Sequence, residues 1–189
     1  KKIDFHVHTG QNLGIYEIKR ILNYIDEYEM NDMVTLSHAF SLNDIGHHKQ
    51  VELAKEFVKR GVTLNTTQPI NGEAYPFMTF LNEGVDVNIV NDNINDHWNP
   101  FGTGDMAERL NRGCQIHNFK DEYTISRTLP AITGGLLPLN NEGERIWPKV
   151  GDKANILLSK SDSSAHLIAR LVPERVTMFE GEIVNGEFI

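Results

Sequence analysis

The sequence contains one cysteine in 189 residues, Cys114, which excludes an internal disulfide and fits a reducing compartment. No run approaches the roughly 18 apolar residues that a spanning helix needs, and no basic leader precedes an apolar segment. The cytoplasm is therefore the expected location, with no membrane partner. Clustered positive charge is missing too. Against 18 basic residues stand 26 acidic ones, for a net charge of -8, so the mean field repels a nucleic-acid backbone and leaves small neutral ligands open. The chain also lacks a glycine-rich phosphate loop followed by Lys-Ser or Lys-Thr, a dinucleotide fingerprint after its first strand, a nucleophile elbow and a Cys-x-x-Cys pair.

What is present is a repeating pattern. Hydrophobic residues make up 40% of the chain, enough for one core, with one domain or one plus a small appendage. Lys1–Val7 reads as a strand that starts almost at the first residue, so the chain is expected to begin in mid-fold or at a cleavage point. Ile15, Ile18, Ile21, Leu22 and Ile25 recur at helical spacing and predict a helix to about Met30, while Glu17, Lys19 and Arg20 occupy its wet face. Met33–Leu36 follows as a buried strand. A helix capped at Ser41 or Asn43 and stopped at Gly61 leads to a third strand, Val62–Asn65. A short helix, Pro76–Glu83, leads to a fourth, Val85–Val90. Helices are expected after Asp105 and over about Tyr123–Ile132. Beyond them Asn155–Leu158, Arg175–Phe179 and Ile183–Val184 are short strands, with a helix or loop over Ser159–Leu171. Strands alternating with helices of this length require parallel pairing through right-handed crossovers.

Three of the four parallel strands end on residues that carry chemistry. His6 closes the first, with His8 one residue beyond its neighbour; alternate residues of a strand share a face, so both could reach one metal, unless His8 already lies in the turn. His38 closes the second, beside His6 on the same rim, either as a site residue or as a hydrogen-bonding group at the next helix start. Asp92 closes the fourth and could ligate a metal, accept a proton from bound water or cap its own loop. Trp98 could wall a planar substrate or anchor the loop. Gln68, after the third strand, is a candidate substrate-binding residue. His47 and His48 read as surface, and Cys114 as a small buried hydrophobe. Four such units with one rim of site residues would form half a barrel with two bare sheet edges, which something must cover.

The segments IDFHVH at 3–8, TLSHA at 35–39, VNIVNDNINDHWNPFGTGDM at 87–106 and KVGDKANILL at 149–158 resemble the second half of cytosine deaminase, in the amidohydrolase superfamily. The resemblance implies an α/β fold: a partial (β/α)8 TIM barrel, strands five to eight, over residues 1–148, and a few β-sandwich strands over 149–189. It also implies a metal-dependent hydrolase acting on a C–N bond of a cyclic amidine or amide. By that resemblance His6 and Asp92 are metal ligands, and Asp92 and His38 are catalytic: Asp92 moves the proton and His38 stabilises charge at the attacked centre. Trp98 lines the substrate pocket. The implied cofactor is a divalent transition metal, zinc or iron, with manganese also compatible with nitrogen and oxygen ligands. The implied partners are a small-molecule substrate and either further copies of the chain, as a homo-oligomer, or a complementing N-terminal half.

The chain departs from that pattern at specific places. Thr9 stands where cytosine deaminase has a glutamate three residues after the strand-five histidine, and Asn91 precedes Asp92. Threonine does no acid–base work near neutral pH. Strand one, with its own metal-binding pair, has no counterpart here. Two further readings follow: a catalytically silent amidohydrolase-like domain that serves assembly, and a small flavodoxin-like ligand-binding domain.

Overall fold

The computed structural model describes residues 1–94 and 100–187. Strands β1 (Ile3–His6), β2 (Val34–Ser37), β3 (Thr63–Thr66) and β4 (Val87–Ile89) form one sheet in the order β1-β2-β3-β4, every pair parallel. The connections run through helices α1 (Gln11–Glu27), α2 (His47–Arg60) and α3 (Phe77–Asn82). After β4 come α4 (Met106–Ile116), α5 (Glu122–Arg127) and α6 (Pro130–Thr133). A second sheet is antiparallel, with strands β5 (Ile156–Ser159), β6 (Arg175–Phe179) and β7 (Glu182–Asn185) in sequence order, and α7 (Ser164–Arg170) between the first two. The architecture is a partial parallel sheet of the TIM-barrel kind with a separate C-terminal sheet. No helix among the described residues is long and apolar enough to cross a membrane.

The alternation of residues along the strands divides the parallel sheet into an oily and a polar face. Val34, Leu36, Leu64, Val87 and Ile89 are buried in one cluster with Ile18, Leu22 and Ile25 of α1, Phe57 of α2, Phe80 of α3 and Leu110 of α4. The opposite face carries His6, Ser37, Asn65 and Asn88, which the register places in one row across all four strands. A doubly wound sheet has helices and apolar residues on both faces. Here the core cluster takes one face and polar side chains take the other, as in a sheet that curls around a site. At the β1 edge Ile3 and Phe5 remain 39% and 38% exposed.

Several element boundaries differ from the sequence reading for local reasons. The stretch after β2 opens as a 3-10 turn, Phe40–Asn43, and α2 begins only at His47 behind Gly46, so neither Ser41 nor Asn43 caps it. Between Tyr123 and Ile132 the single expected helix is two: Pro130 cannot donate an amide to a continuing helix, so α5 ends at Arg127 and Pro130 opens α6. Helix α1 extends one turn earlier than its apolar stripe because Gln11–Gly14 lies over the 3-10 turn, where Gly14 is buried against Ser41.

Candidate metal centre at the carboxyl ends of the parallel strands

Each parallel strand delivers its last side chains to one rim, and three of them leave it through left-handed backbone at a residue other than glycine: His38 at φ 70°, Gln68 at φ 48° and Asp92 at φ 58°. Such conformations cost about 1–3 kcal/mol each and persist where the surroundings fix them. The surroundings here are specific. The His38 amide donates to the Asn65 carbonyl at 3.0 Å, the Ala39 amide to the Ser37 carbonyl at 3.0 Å, and the Gln68 amide to Thr66 Oγ1 at 3.1 Å.

The histidines converge. His38 Nε2 lies 3.2 Å from His6 Nδ1, and the His8 ring meets His38 edge-on at 4.3 Å between centroids. Phe40 stacks on His8 at 5.6 Å between centroids and also lies 5.3 Å from the His38 ring. One ring nitrogen from each of His6, His8 and His38 falls within a set whose members are all within 4.8 Å of one another. Asp92 Oδ2 stands 3.8 Å from His38 Nε2. His38 is buried, and burial first, then His8 and His6, hold its imidazole below the ordinary value, with Asp92 pulling the other way. A neutral imidazole is the metal-ligating form. Three such donors with a carboxylate beside them match the ligand types of zinc, iron and manganese sites, so the residues present fit a divalent metal.

These groups open onto a cavity of about 830 Å³, whose wall includes His6, His8, His38, Asp92, Phe101 and Arg109. A smaller one of about 220 Å³ reaches beneath them to Asp4, Ser37 and Asn65. Asn91, just before Asp92, is fixed from both sides: its amide donates to the Gly104 carbonyl at 2.8 Å, and its oxygen accepts from Arg109 Nε at 2.8 Å.

Of the residues singled out in the sequence, His6, His38 and Asp92 meet at this rim. His8 joins them, so the turn after β1 keeps it with His6. Gln68 does not reach the cavity. It is fully buried, with Nε2 donating to Thr66 Oγ1 at 3.2 Å and Oε1 bonded to His117 Nε2 at 2.7 Å; it shares the inward parity of Leu64 and Thr66, and Thr67 and Pro69 lie on the cavity wall. Trp98 lies outside the described residues. His47 and His48 are exposed at the start of α2, and Cys114 is buried against Thr128, its thiol pushed up by burial.

No family model matches the chain. It is 34% identical over 187 residues to the uncharacterized protein YahJ of Escherichia coli (strain K12), a match covering 98% of this chain and 41% of that protein. It is 27% identical over 192 residues to N-isopropylammelide isopropyl amidohydrolase of Pseudomonas sp. (strain ADP), covering 96% of this chain and 45% of that one. Among solved structures, N-isopropylammelide isopropylaminohydrolase from Burkholderia multivorans ATCC 17616 superposes with a TM-score of 0.82 at 26% identity, over 97% of this chain and 47% of that one. In sequence and fold the chain is thus similar to part of the cytosine deaminase-like amidohydrolases. A 5-methylcytosine deaminase from Klebsiella pneumoniae shares the fold, at a TM-score of 0.74 and 15% identity over 100% of this chain and 49% of that one. This amidohydrolase-like chain thus spans about half the length of the relatives it matches. Thr9 donates its hydroxyl to Glu17 Oε1 of α1 at 3.1 Å, so Glu17, read from the sequence as a wet-face residue, is tied to the turn that follows His8.

Proposed function

We propose that this chain supplies the C-terminal half of the barrel, strands five to eight, of a metal-dependent hydrolase that cleaves a C–N bond of a cyclic amidine or amide. On this reading residues 1–148 are the half-barrel and residues 149–189 the flanking β segment. The observation that carries it is the convergence of His6, His8, His38 and Asp92 at one strand rim above an open cavity. His6 and Asp92 would hold the metal, with His8 within reach of the same position. The metal's contribution, when bound, is water activation near neutral pH. Asp92 takes a proton from the attacking water and delivers it to the departing amine. His38, kept neutral by burial, donates a hydrogen bond where charge develops on the attacked ring carbon or its substituent. Trp98 is assigned to the substrate pocket. Gln68 has no place in this reading, since its amide is committed inside the core.

Two candidate substrates are cytosine, from the resemblance of the sequence motifs to cytosine deaminase, and N-isopropylammelide, named for the 27% identical relative. The test is elemental analysis of the full-length protein purified without added metal, followed by an assay for ammonia or isopropylamine release from these two compounds. Bound zinc, iron or manganese with amine release supports the assignment. Protein that takes up no metal and releases no amine overturns it.

One feature of the geometry favours a second reading, a silent domain that serves assembly. The hydrogen bond between His38 and His6 pairs one nitrogen of each ring without a metal, and β1, with Ile3 and Phe5 partly exposed, lies at the edge of the sheet where a further copy or the other half of the polypeptide could pair. Metal-free protein that forms a stable oligomer would support it.

A further inference from the structure

The polar face of the sheet carries a rung that the proposed reaction does not use. Barrel interiors are filled mostly by branched apolar side chains. Here Asp4 occupies that face one step below His6 on the same strand. Its two oxygens both accept from Ser37 Oγ of β2, at 2.8 and 3.1 Å, and Ser37 Oγ accepts in turn from Asn65 Nδ2 of β3 at 3.4 Å. Three neighbouring strands thereby hold one carboxylate in place. His6 stands over it: with Nδ1 turned toward His38, the other ring nitrogen, Nε2, faces Asp4 Oδ2 at 3.6 Å.

We propose that Asp4 is a positioning residue, which orients the His6 imidazole from below so that its Nδ1 points into the cluster with His8 and His38, and that Ser37 and Asn65 serve to hold the Asp4 carboxylate. The inference rests on the reading of the cluster as a metal site. Its physical basis is general. A ligating imidazole whose far nitrogen donates to a carboxylate has its tautomer and ring orientation fixed, and loss of such a partner weakens metal affinity by about 10–100-fold. Asparagine at position 4 keeps the shape and still accepts from Ser37, but lacks the charge that draws an imidazole N–H. Alanine at position 37 keeps the carboxylate and frees it to rotate.

The test is a Co²⁺ titration of the full-length protein, followed by visible absorbance, on the unsubstituted form, Asp4→Asn, Ser37→Ala and His6→Ala. The expected result is a loss of affinity of about tenfold or more in Asp4→Asn, a smaller loss in Ser37→Ala, and the largest in His6→Ala. The Co²⁺ band of Asp4→Asn at saturation should also shift, since the orientation of a ligand has changed; a purely structural role would not move it. Asp4→Asn that binds as tightly as the unsubstituted protein, while His6→Ala has lost the metal, overturns the role of Asp4 and leaves the metal site standing. Unchanged binding in His6→Ala removes the metal site itself, and the role of Asp4 with it.

Discussion

Arg109 donates its Nε to Asn91 Oδ1 at 2.8 Å, and that bond ties the most deeply buried cation of the described residues to the position just before Asp92. The guanidinium is only 2% exposed, its Nη2 has no partner among the described residues, and burial lowers its proton affinity. It sits in the first turn of α4, where the helix dipole disfavours a positive charge. Asn91→Ala should therefore cost more than one ordinary hydrogen bond, about 1–3 kcal/mol, because it leaves a buried charged donor without its acceptor. Urea unfolding of Asn91→Ala measures this as a lower midpoint at unchanged slope. An unchanged midpoint would show that Arg109 finds another acceptor without strain.

Stability should fall on acidification, and two histidines set the direction, His38 buried and His117 half-buried. Burial holds His117 below the ordinary imidazole value of 6.5, and burial, then His8, does the same for His38. Both are neutral in the fold at a pH where the unfolded chain already carries the proton. The unfolded state thus binds more protons in the window just below the ordinary value, so unfolding free energy rises with pH through that window and levels above it. Urea unfolding between about pH 7.5 and about pH 5.5 should show the decline, and His117→Gln should reduce its slope. A profile that gains stability toward acid would contradict the assignment.

Gly14→Ala tests how the turn after His8 is fixed. Alanine is the better helix former by about 1 kcal/mol, so propensity alone predicts stabilisation. Yet a Cβ there would collide with the Thr9 carbonyl and stand 2.7 Å from Ser41 Cβ and Oγ. The obstacles are backbone and a buried hydroxyl, neither of which swings aside, so overpacking should win by about 1–3 kcal/mol. Because Thr9 directly follows His8, the variant should also bind Co²⁺ more weakly. A rise in thermal midpoint would mean that the 3-10 turn moves freely.

The parts of the fold that come from periodicity are legible in the sequence. Four parallel strands follow from short apolar runs separated by amphipathic helices, and His6, His38 and Asp92 at one rim follow from where each run stops. What was hidden depends on single dihedral angles and on side chains far apart in sequence. Gln68 has the parity of Leu64 and Thr66, so the alternation itself turns it toward the core, but its bond to His117 joins residues 49 apart and no local pattern shows it. The turn beyond β1 keeps His8 beside His38, which spacing alone left open. The Asn91–Arg109 bond joins residues 18 apart, and no local pattern announces it. Asp4 alternates with Ile3 and Phe5 in the sequence, and only the register, with His6 opposite Ser37, shows what it touches.

Asp105 stands where the C-terminal sheet meets the helix behind the site. Its Oδ1 accepts from the Ala107 amide at 2.9 Å and caps α4, while its Oδ2 accepts from Arg175 Nη1 of β6 at 2.6 Å. The two contacts can be separated by substitution. Asp105→Asn keeps an oxygen for the cap and loses the ion pair; Arg175→Ala removes the ion pair and the Arg175 Nε bond to the Val172 carbonyl; Asp105→Ala removes cap and pair together. A lost cap costs about 1 kcal/mol. The ion pair is partly exposed and screened, so it adds no more than about 1 kcal/mol. The expected order of destabilisation in urea is Asp105→Ala first, Arg175→Ala next and Asp105→Asn least. Since α4 also carries Arg109, Asp105→Ala should weaken Co²⁺ binding as well, whereas Asp105→Asn should leave it unchanged. Equal losses for Asp105→Asn and Asp105→Ala would place the whole contribution in the ion pair, and make Arg175 rather than the helix cap the anchor between the two sheets.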